Sequence, residues 1–183
     1  MQIELIERNL SESRTTFEMH MHRDFPESEI KPWEITKSLY EKGIYEFLDV
    51  FSDGKMVGYV WIVSPEGGVA LIDYLAVLPQ YRGTGVGSKI LKELCARYAR
   101  MGKTLILESE YPDEAPDPQV AARRLGFYAR AGFMDSGVQV RLFGVRFCIL
   151  AHGIRGREKE DLACIYRSMF PCGLYEKAVV FLN

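Results

Sequence analysis

The chain has 183 residues, 48% of them hydrophobic and 26% charged, the balance of a soluble globular protein with enough apolar mass for one substantial core. Its 23 basic and 25 acidic side chains leave a formal charge of −2, so bulk electrostatics give no basis for binding nucleic acid. No uncharged apolar run approaches the ~18 residues of a membrane span, and Met1 to Leu5 lacks the basic and apolar regions of a signal peptide. Cys95, Cys148, Cys164 and Cys172 show no CxxC spacing, which predicts free thiols in a reducing cytoplasm.

In chain order, Gln2 to Glu7 alternate polar and apolar and predict a first strand. Ser11-Glu12-Ser13 reads as a helix start, with the helix running to about Arg23 and broken by Asp24-Phe25-Pro26-Glu27-Ser28. Pro32 precedes a second helix that ends near Gly43. Ile44 to Phe51 and Met56 to Val63 are strands joined at Asp53-Gly54, the signal of a tight hairpin. Pro65 to Gly68 turns the chain again, and Val69 to Val77 is a third strand of the meander.

The next helix places Ile90, Leu91, Leu94, Cys95, Tyr98 and Ala99 on one stripe and stops at Gly102. Thr104 to Glu110 is a strand, followed by an acidic, proline-rich loop from Tyr111 to Pro118. Asp117-Pro118 suits an N-cap with proline at the first helical position, and that helix runs to Ala131 before Gly132. Phe133 to about Ala151 holds two strands turning near Gly144. Glu158 to Phe170 is a helix whose Glu158-Lys159-Glu160-Asp161 start reads as exposed, and Tyr175 to Leu182 is a closing strand. A strand-helix-strand unit after an antiparallel meander predicts a mixed α/β (α+β) fold in a single domain, 1–183.

The stretch Leu75-Ala76-Val77-Leu78-Pro79-Gln80-Tyr81-Arg82-Gly83-Thr84-Gly85-Val86-Gly87-Ser88 carries the chemistry. A strand enters it, three glycines follow at alternate positions, and a helix begins. Bare backbone N–H groups at a helix start can converge on one anion, and without Cβ atoms a bulky phosphate can approach the chain. The P-loop pattern fails, because Lys89 is preceded by Ser88 and followed by Ile90. The dinucleotide fingerprint fails too: its third glycine would fall on Ser88 or Ile90. What remains is Arg82-x-x-Gly85-x-Gly87.

That remainder resembles the acyl-CoA-binding motif of the GNAT superfamily of N-acetyltransferases: Arg or Gln, two residues, Gly, one residue, Gly or Ala. A second block, Ala122 to Phe133 with Phe127-Tyr128-Ala129-Arg130-Ala131-Gly132-Phe133 at its end, is similar to the family's tyrosine helix. The two blocks cover about residues 69–133; the first 45 residues and those after Phe143 match in architecture only. The resemblance implies a central mixed, largely antiparallel sheet flanked by helices, with a splayed strand pair holding the cosubstrate, acetyl-CoA, and no metal.

It further implies that Arg82, Gly83, Thr84, Gly85, Val86, Gly87 and Ser88 hold the CoA pyrophosphate, although Arg82 can also brace the loop without touching phosphate. Leu75, Ala76 and Val77 would pair with the pantetheine arm, and an N–H near Val77 would polarise the thioester carbonyl. Tyr128 would donate a proton to the departing CoA thiolate, though its position also fits a core stripe with Ala121 and Leu125. Asp73, Glu108 and Glu110 are the candidates for general base, each of which reads equally as a solvated strand carboxylate. The asparagine that the family often has near the start of the tyrosine helix is absent from Val120-Ala121-Ala122.

His20 and His22, two apart on a helix, face different ways, and with only His152 besides they predict no zinc site. Phe25, Pro26, Glu27, Pro32 and Trp33 would roof the acceptor pocket, and Glu46, Asp73, Glu108 and Glu110 would suit a cationic amine if they converge. The implied enzyme acetylates a primary amine, of a small molecule or of a protein, as a monomer or homodimer. The competing reading is a catalytically silent acyl-CoA-binding or regulatory module. The two part at Tyr128, which a binder does not need.

Overall fold

Alternating strand patterns, turn glycines and helix caps translate into eight strands and intervening helices in a computed structural model that describes residues 2–153, 155–171 and 173–182. The chain divides into two compact units, residues 1–65 with 73–93, and residues 66–72 with 94–183. Strands follow the order β1-β2-β3-β4 in the first and β4-β5-β7-β6-β8 in the second. The expected mixed α/β architecture with a mostly antiparallel sheet is present. Among the described residues no helix is long and apolar enough to cross a membrane.

In the first unit, β1 (Glu4–Arg8) pairs antiparallel with β2 (Tyr45–Ser52), which pairs antiparallel with β3 (Lys55–Val63). Asp53 and Gly54 both have positive φ, 50° and 72°, the requirement of the two-residue turn that their sequence announced. Helix α1 (Leu10–Thr16) starts one residue before the expected Ser11. Asn9 caps it in a reciprocal box with Glu12, which satisfies two otherwise orphaned N–H groups. A π-turn, Phe17–Met21, carries α1 into a last turn, His22–Asp24. Helix α2 (Trp33–Glu41) packs Trp33 against Phe47 of β2 with ring centroids 6.1 Å apart, and Phe47 meets Trp61 of β3 at 4.8 Å. Gly58 is where β3 admits β4 (Val69–Val77): a Cβ there would lie 2.4 Å from the Ala76 carbonyl oxygen.

The second unit takes residues 69–72 of β4, parallel to β5 (Thr104–Glu110) in a ladder from Val69↔Thr104 to Ile72↔Leu107. Helix α3 (Val86–Arg100) is the crossover between these two strands, and it spans the boundary at residues 93 and 94. β5 then pairs antiparallel with β7 (Val145–His152), β7 with β6 (Met134–Leu142), and β6 with β8 (Val179–Phe181). Helix α4 (Pro118–Arg130) begins where Asp117 accepts from the Gln119 and Val120 N–H groups, as the Asp-Pro pair predicts.

Four local expectations are corrected. Ala99 is exposed, while Val86 joins Ile90, Leu91, Leu94 and Tyr98 on the buried stripe of α3. Glu158, expected at an exposed start of α5 (Glu158–Met169), is buried, because its carboxylate turns back to accept from the Arg155 and Gly156 N–H groups. Tyr175 to Leu182 is not one strand: Tyr175–Ala178 forms a short helix, α6, before β8. The Leu174 carbonyl accepts from both Lys177 and Ala178 there, and Glu-Lys-Ala favours a helical turn until the β6 ladder takes over at Val179↔Leu142. Finally, β1 begins at Glu4 rather than Gln2.

Cys95 and Cys148 are buried free thiols and Cys164 is an exposed one, whereas Cys172 lies outside the described residues. Burial pushes the Cys95 and Cys148 thiols up to about 11.

Candidate active site

From Asp73 onward β4 alternates: Tyr74, Ala76 and Leu78 are buried, and Asp73, Leu75 and Val77 are half-buried on the opposite face. The strand passes through a 3₁₀ turn, Pro79–Tyr81, into the glycine loop. Gly83 and Gly85 adopt φ of +74° and +82°, and nothing lies within 4 Å of where their Cβ atoms would be. Buried Val86 anchors the helix, and Lys89 donates to the Gly85 carbonyl at 3.3 Å as the helical ladder begins. The N–H groups of Val86, Gly87 and Ser88 therefore belong to the first turn, which has no preceding helical carbonyls to accept from it. With the positive end of the helix dipole behind them, they make a terminus of the kind that favours an anion.

Arg82 is tied down. Its Nε donates to the Val77 carbonyl at 2.9 Å and its Nη2 to Asp24 Oδ1 at 2.7 Å. Thr84 Oγ1 donates to the Tyr81 carbonyl at 2.6 Å, closing the loop from the other side. The bracing role that the sequence left open for Arg82 is the one its contacts display.

Asp73 has both carboxylate oxygens engaged. Lys31 Nζ donates to Oδ1 at 2.7 Å and the Tyr45 hydroxyl to Oδ2 at 2.5 Å. Tyr45 is fully buried, and that burial, followed by the Asp73 charge, holds its hydroxyl protonated well above the usual tyrosine range. Tyr74 accepts from the Lys31 N–H at 2.9 Å and donates to the Glu29 carbonyl at 2.7 Å. Burial first, and the Asp73 charge second, push Tyr74 up to about 12. Phe25 packs edge-on to Tyr74 at 5.0 Å, so the 25–31 segment expected to roof the acceptor is pinned to β4.

In the second unit, Glu108 and Glu110 share the half-buried face of β5 while Ser109 is buried between them. Glu108 Oε1 accepts from the Tyr166 hydroxyl at 2.5 Å. Glu110 is held only at its Oε2, by Arg124 at 3.5 Å, and its other oxygen has no partner among the described residues. Tyr128, near the end of α4, is half-buried and packs against Phe127 at 5.2 Å and Phe133 at 6.2 Å. Its carbonyl accepts from the Ala131 and Phe133 N–H groups, a reversal that Gly132 permits with φ of +90°. Burial raises the Tyr128 hydroxyl above the usual range, against a smaller opposing pull from Arg124. That hydroxyl has no hydrogen-bond partner among the described residues, unlike the hydroxyls of Tyr45, Tyr59, Tyr74 and Tyr166.

The first unit thus holds Asp73, Leu75 to Val77 and Arg82 to Ser88; the second holds Glu108, Glu110 and Tyr128. Sequence reasoning missed Asp24, Lys31, Tyr45 and Tyr74 in the first and Tyr166 in the second. Asp24 was read only as part of a helix break, and its partner Arg82 is 58 residues away. Among the described residues no group of three His, Cys, Asp or Glu side chains is arranged to hold a metal ion.

A family model described as "Acetyltransferase (GNAT) family" matches residues 8–133. A candidate acetyltransferase of the GNAT family from Bacteroides thetaiotaomicron superposes with a TM-score of 0.71 at 19% identity, over 91% of this chain and 95% of that one. The ribosomal-protein-S18-alanine N-acetyltransferase from Escherichia coli gives 0.61 at 18% identity, over 82% and 92%. A Bacillus subtilis acetyltransferase solved in complex with CoA gives 0.57 at 14% identity, over 84% and 99%. No curated protein sequence matches the chain.

Proposed function

Because the chain belongs to the acetyltransferase (GNAT) family, we propose that it transfers the acetyl group of acetyl-CoA directly to a primary amine. The observation that carries this reading is the glycine loop at the start of α3, open beside Gly83 and Gly85 and backed by first-turn N–H groups. Such a loop recognises a pyrophosphate by backbone alone. In this reading residues 83–88 hold the CoA pyrophosphate, and the backbone of Leu75, Ala76 and Val77 aligns the pantetheine arm. An N–H near Val77 stabilises the oxyanion.

The amine nitrogen attacks the thioester carbonyl, the C–S bond breaks, and the acetyl group becomes an amide. The proton leaving nitrogen passes to a carboxylate, directly or through water, and Tyr128 supplies one to the thiolate. An unpartnered hydroxyl held in its protonated form supports that role for Tyr128. Asp73, Glu108 and Glu110 remain the base candidates. Glu110 is the best of them, because one of its oxygens is uncommitted while Asp73 is occupied at both.

A small-molecule acceptor suits the absence of a basic excess in the composition. A protein amine is the second reading, supported by the likeness to an enzyme named for a ribosomal-protein alanine. The test is a thiol-release assay with acetyl-CoA across small amines and N-terminal peptides, beside a thermal-shift titration. Acetyl-CoA at ~100 times its Kd should stabilise the fold by ~2.7 kcal/mol. A shift without turnover would favour the silent module, and no shift would refute the cradle.

A further inference from the structure

We propose that Asp24 is a positioning residue for the donor: through Arg82 it holds the glycine loop in its pyrophosphate-binding shape, touching neither substrate. This rests on the reading of the loop as a CoA site. Asp24 ends the last turn of α1, and its side chain is 1% exposed. A carboxylate that deep must be matched by donors, and it is. Arg82 Nη2 lies 2.7 Å from Oδ1, Arg23 Nη2 lies 2.8 Å from Oδ2, and the Tyr59 hydroxyl donates to Oδ2 at 3.2 Å.

Arg82 then spans from this buried anchor to the Val77 carbonyl at 2.9 Å, immediately before Gly83. One planar guanidinium therefore ties the end of α1 to the end of β4, from the residue that precedes the first loop glycine. Beyond Arg82, the Thr84 hydroxyl on the Tyr81 carbonyl and buried Val86 hold the loop. Two of its residues are glycines in the left-handed region with open space beside them, the backbone that loses most entropy on ordering. A loop that must offer several N–H groups to one anion gains affinity from being ordered beforehand. The same contacts engage Nε and Nη2, two of the three guanidinium nitrogens that Arg82 would otherwise direct at phosphate. The π-turn Phe17–Met21 in α1, a feature frequent at functional sites, lies just before this anchor.

The test compares Asp24→Asn, Arg82→Gln, Arg82→Lys and the Asp24→Asn/Arg82→Gln pair by calorimetric titration with acetyl-CoA. Steady-state kinetics with acetyl-CoA and with acetyl-pantetheine, which has no pyrophosphate, accompany it. Losing one charge-assisted, partly exposed hydrogen bond should weaken acetyl-CoA binding about five- to tenfold. Saturating kcat should stay within about twofold, kcat/KM should fall clearly less with acetyl-pantetheine than with acetyl-CoA, and the double variant should be no worse than the worse single one. Arg82→Lys should behave like Arg82→Gln, because an ammonium cannot bridge Asp24 and Val77 together.

Tighter binding by Asp24→Asn, wild-type affinity in Arg82→Lys, or an equal loss with acetyl-pantetheine would each overturn the role. If Asp24→Asn does not fold, the two Arg82 variants decide alone, since that side chain is 54% exposed. Wild-type protein that binds no acetyl-CoA overturns the donor reading and this role with it, whereas wild-type binding with unaffected variants overturns the role only.

Discussion

Replacing Tyr128 by phenylalanine separates catalysis from folding more cleanly here than at most tyrosines. The hydroxyl has no partner among the described residues, and the ring contacts with Phe127 and Phe133 survive the change. No buried donor or acceptor is orphaned, so the melting temperature should move by no more than about 2 °C. The chemistry should suffer. A tyrosine near ~10 protonating a thiolate of ~8.5 works uphill by ~1.5 units, about 2 kcal/mol, and burial of Tyr128 makes the step steeper. On the proposed role, the gain comes from a hydrogen bond that tightens as charge builds on sulfur. The expected loss sits at the low end of general-acid catalysis, about 10²-fold in kcat.

Thiol release at saturating acetyl-CoA measures it, and an acyl donor with a more acidic thiol should shrink the deficit. Burial holds the hydroxyl above the usual tyrosine range, so ionisation of Tyr128 should not cut kcat in neutral or mildly alkaline solution. A phenylalanine variant with kcat within twofold of wild type would refute the assignment and return Tyr128 to the core stripe of α4.

Four further outcomes test the architecture. Gly58→Ala drives a Cβ to 2.4 Å from the Ala76 carbonyl oxygen, a backbone atom, and should cost about 1–3 kcal/mol in urea denaturation. Asp117→Ala removes the acceptor of two N–H groups at the start of α4 and should cost about 1 kcal/mol by the same measurement. Peptide mapping after iodoacetamide at pH 8 should find Cys164 modified and Cys95 and Cys148 protected until urea is added. Both protected thiols titrate higher folded than unfolded, so the stability they contribute should be intact below pH ~9 and fall as pH rises towards 11.

Where a signal is local, the chain can be read to the residue. β4 and β5 begin and end where alternation and flanking turns place them, and Asp117-Pro118 marks the start of α4. The glycine loop is legible for the same reason, since its conformation is written in three nearby residues. Asp24 with Arg82 and Glu108 with Tyr166 are pairs 58 residues apart, and no periodicity reports which carboxylate meets which donor. Glu158 misleads for a related reason: a charged helix start normally faces water, and only the 155–157 turn folding back over it makes burial affordable. Tyr175 to Leu182 fails because local helix preference outlasts the β pattern for four residues.

Those unread partners change the electrostatic argument about the acceptor. Four carboxylates suggested a negative well for a cationic amine. Asp73, however, carries Lys31 at 2.7 Å and is 6% exposed at its side chain, a pair with no net charge. Glu110 has Arg124 at 3.5 Å, again a neutral pair. Paired charges act as short-range dipoles, whose field falls off faster than that of a lone charge and steers little over a Debye length of ~8 Å. With two of the four carboxylates so paired, acceptor choice would rest more on contact hydrogen bonding and shape than on long-range attraction. It follows that kcat/KM for the best amine should change by less than about threefold between 50 and 500 mM salt. A steep fall over that range would restore the negative well, and with it the preference for a polycation.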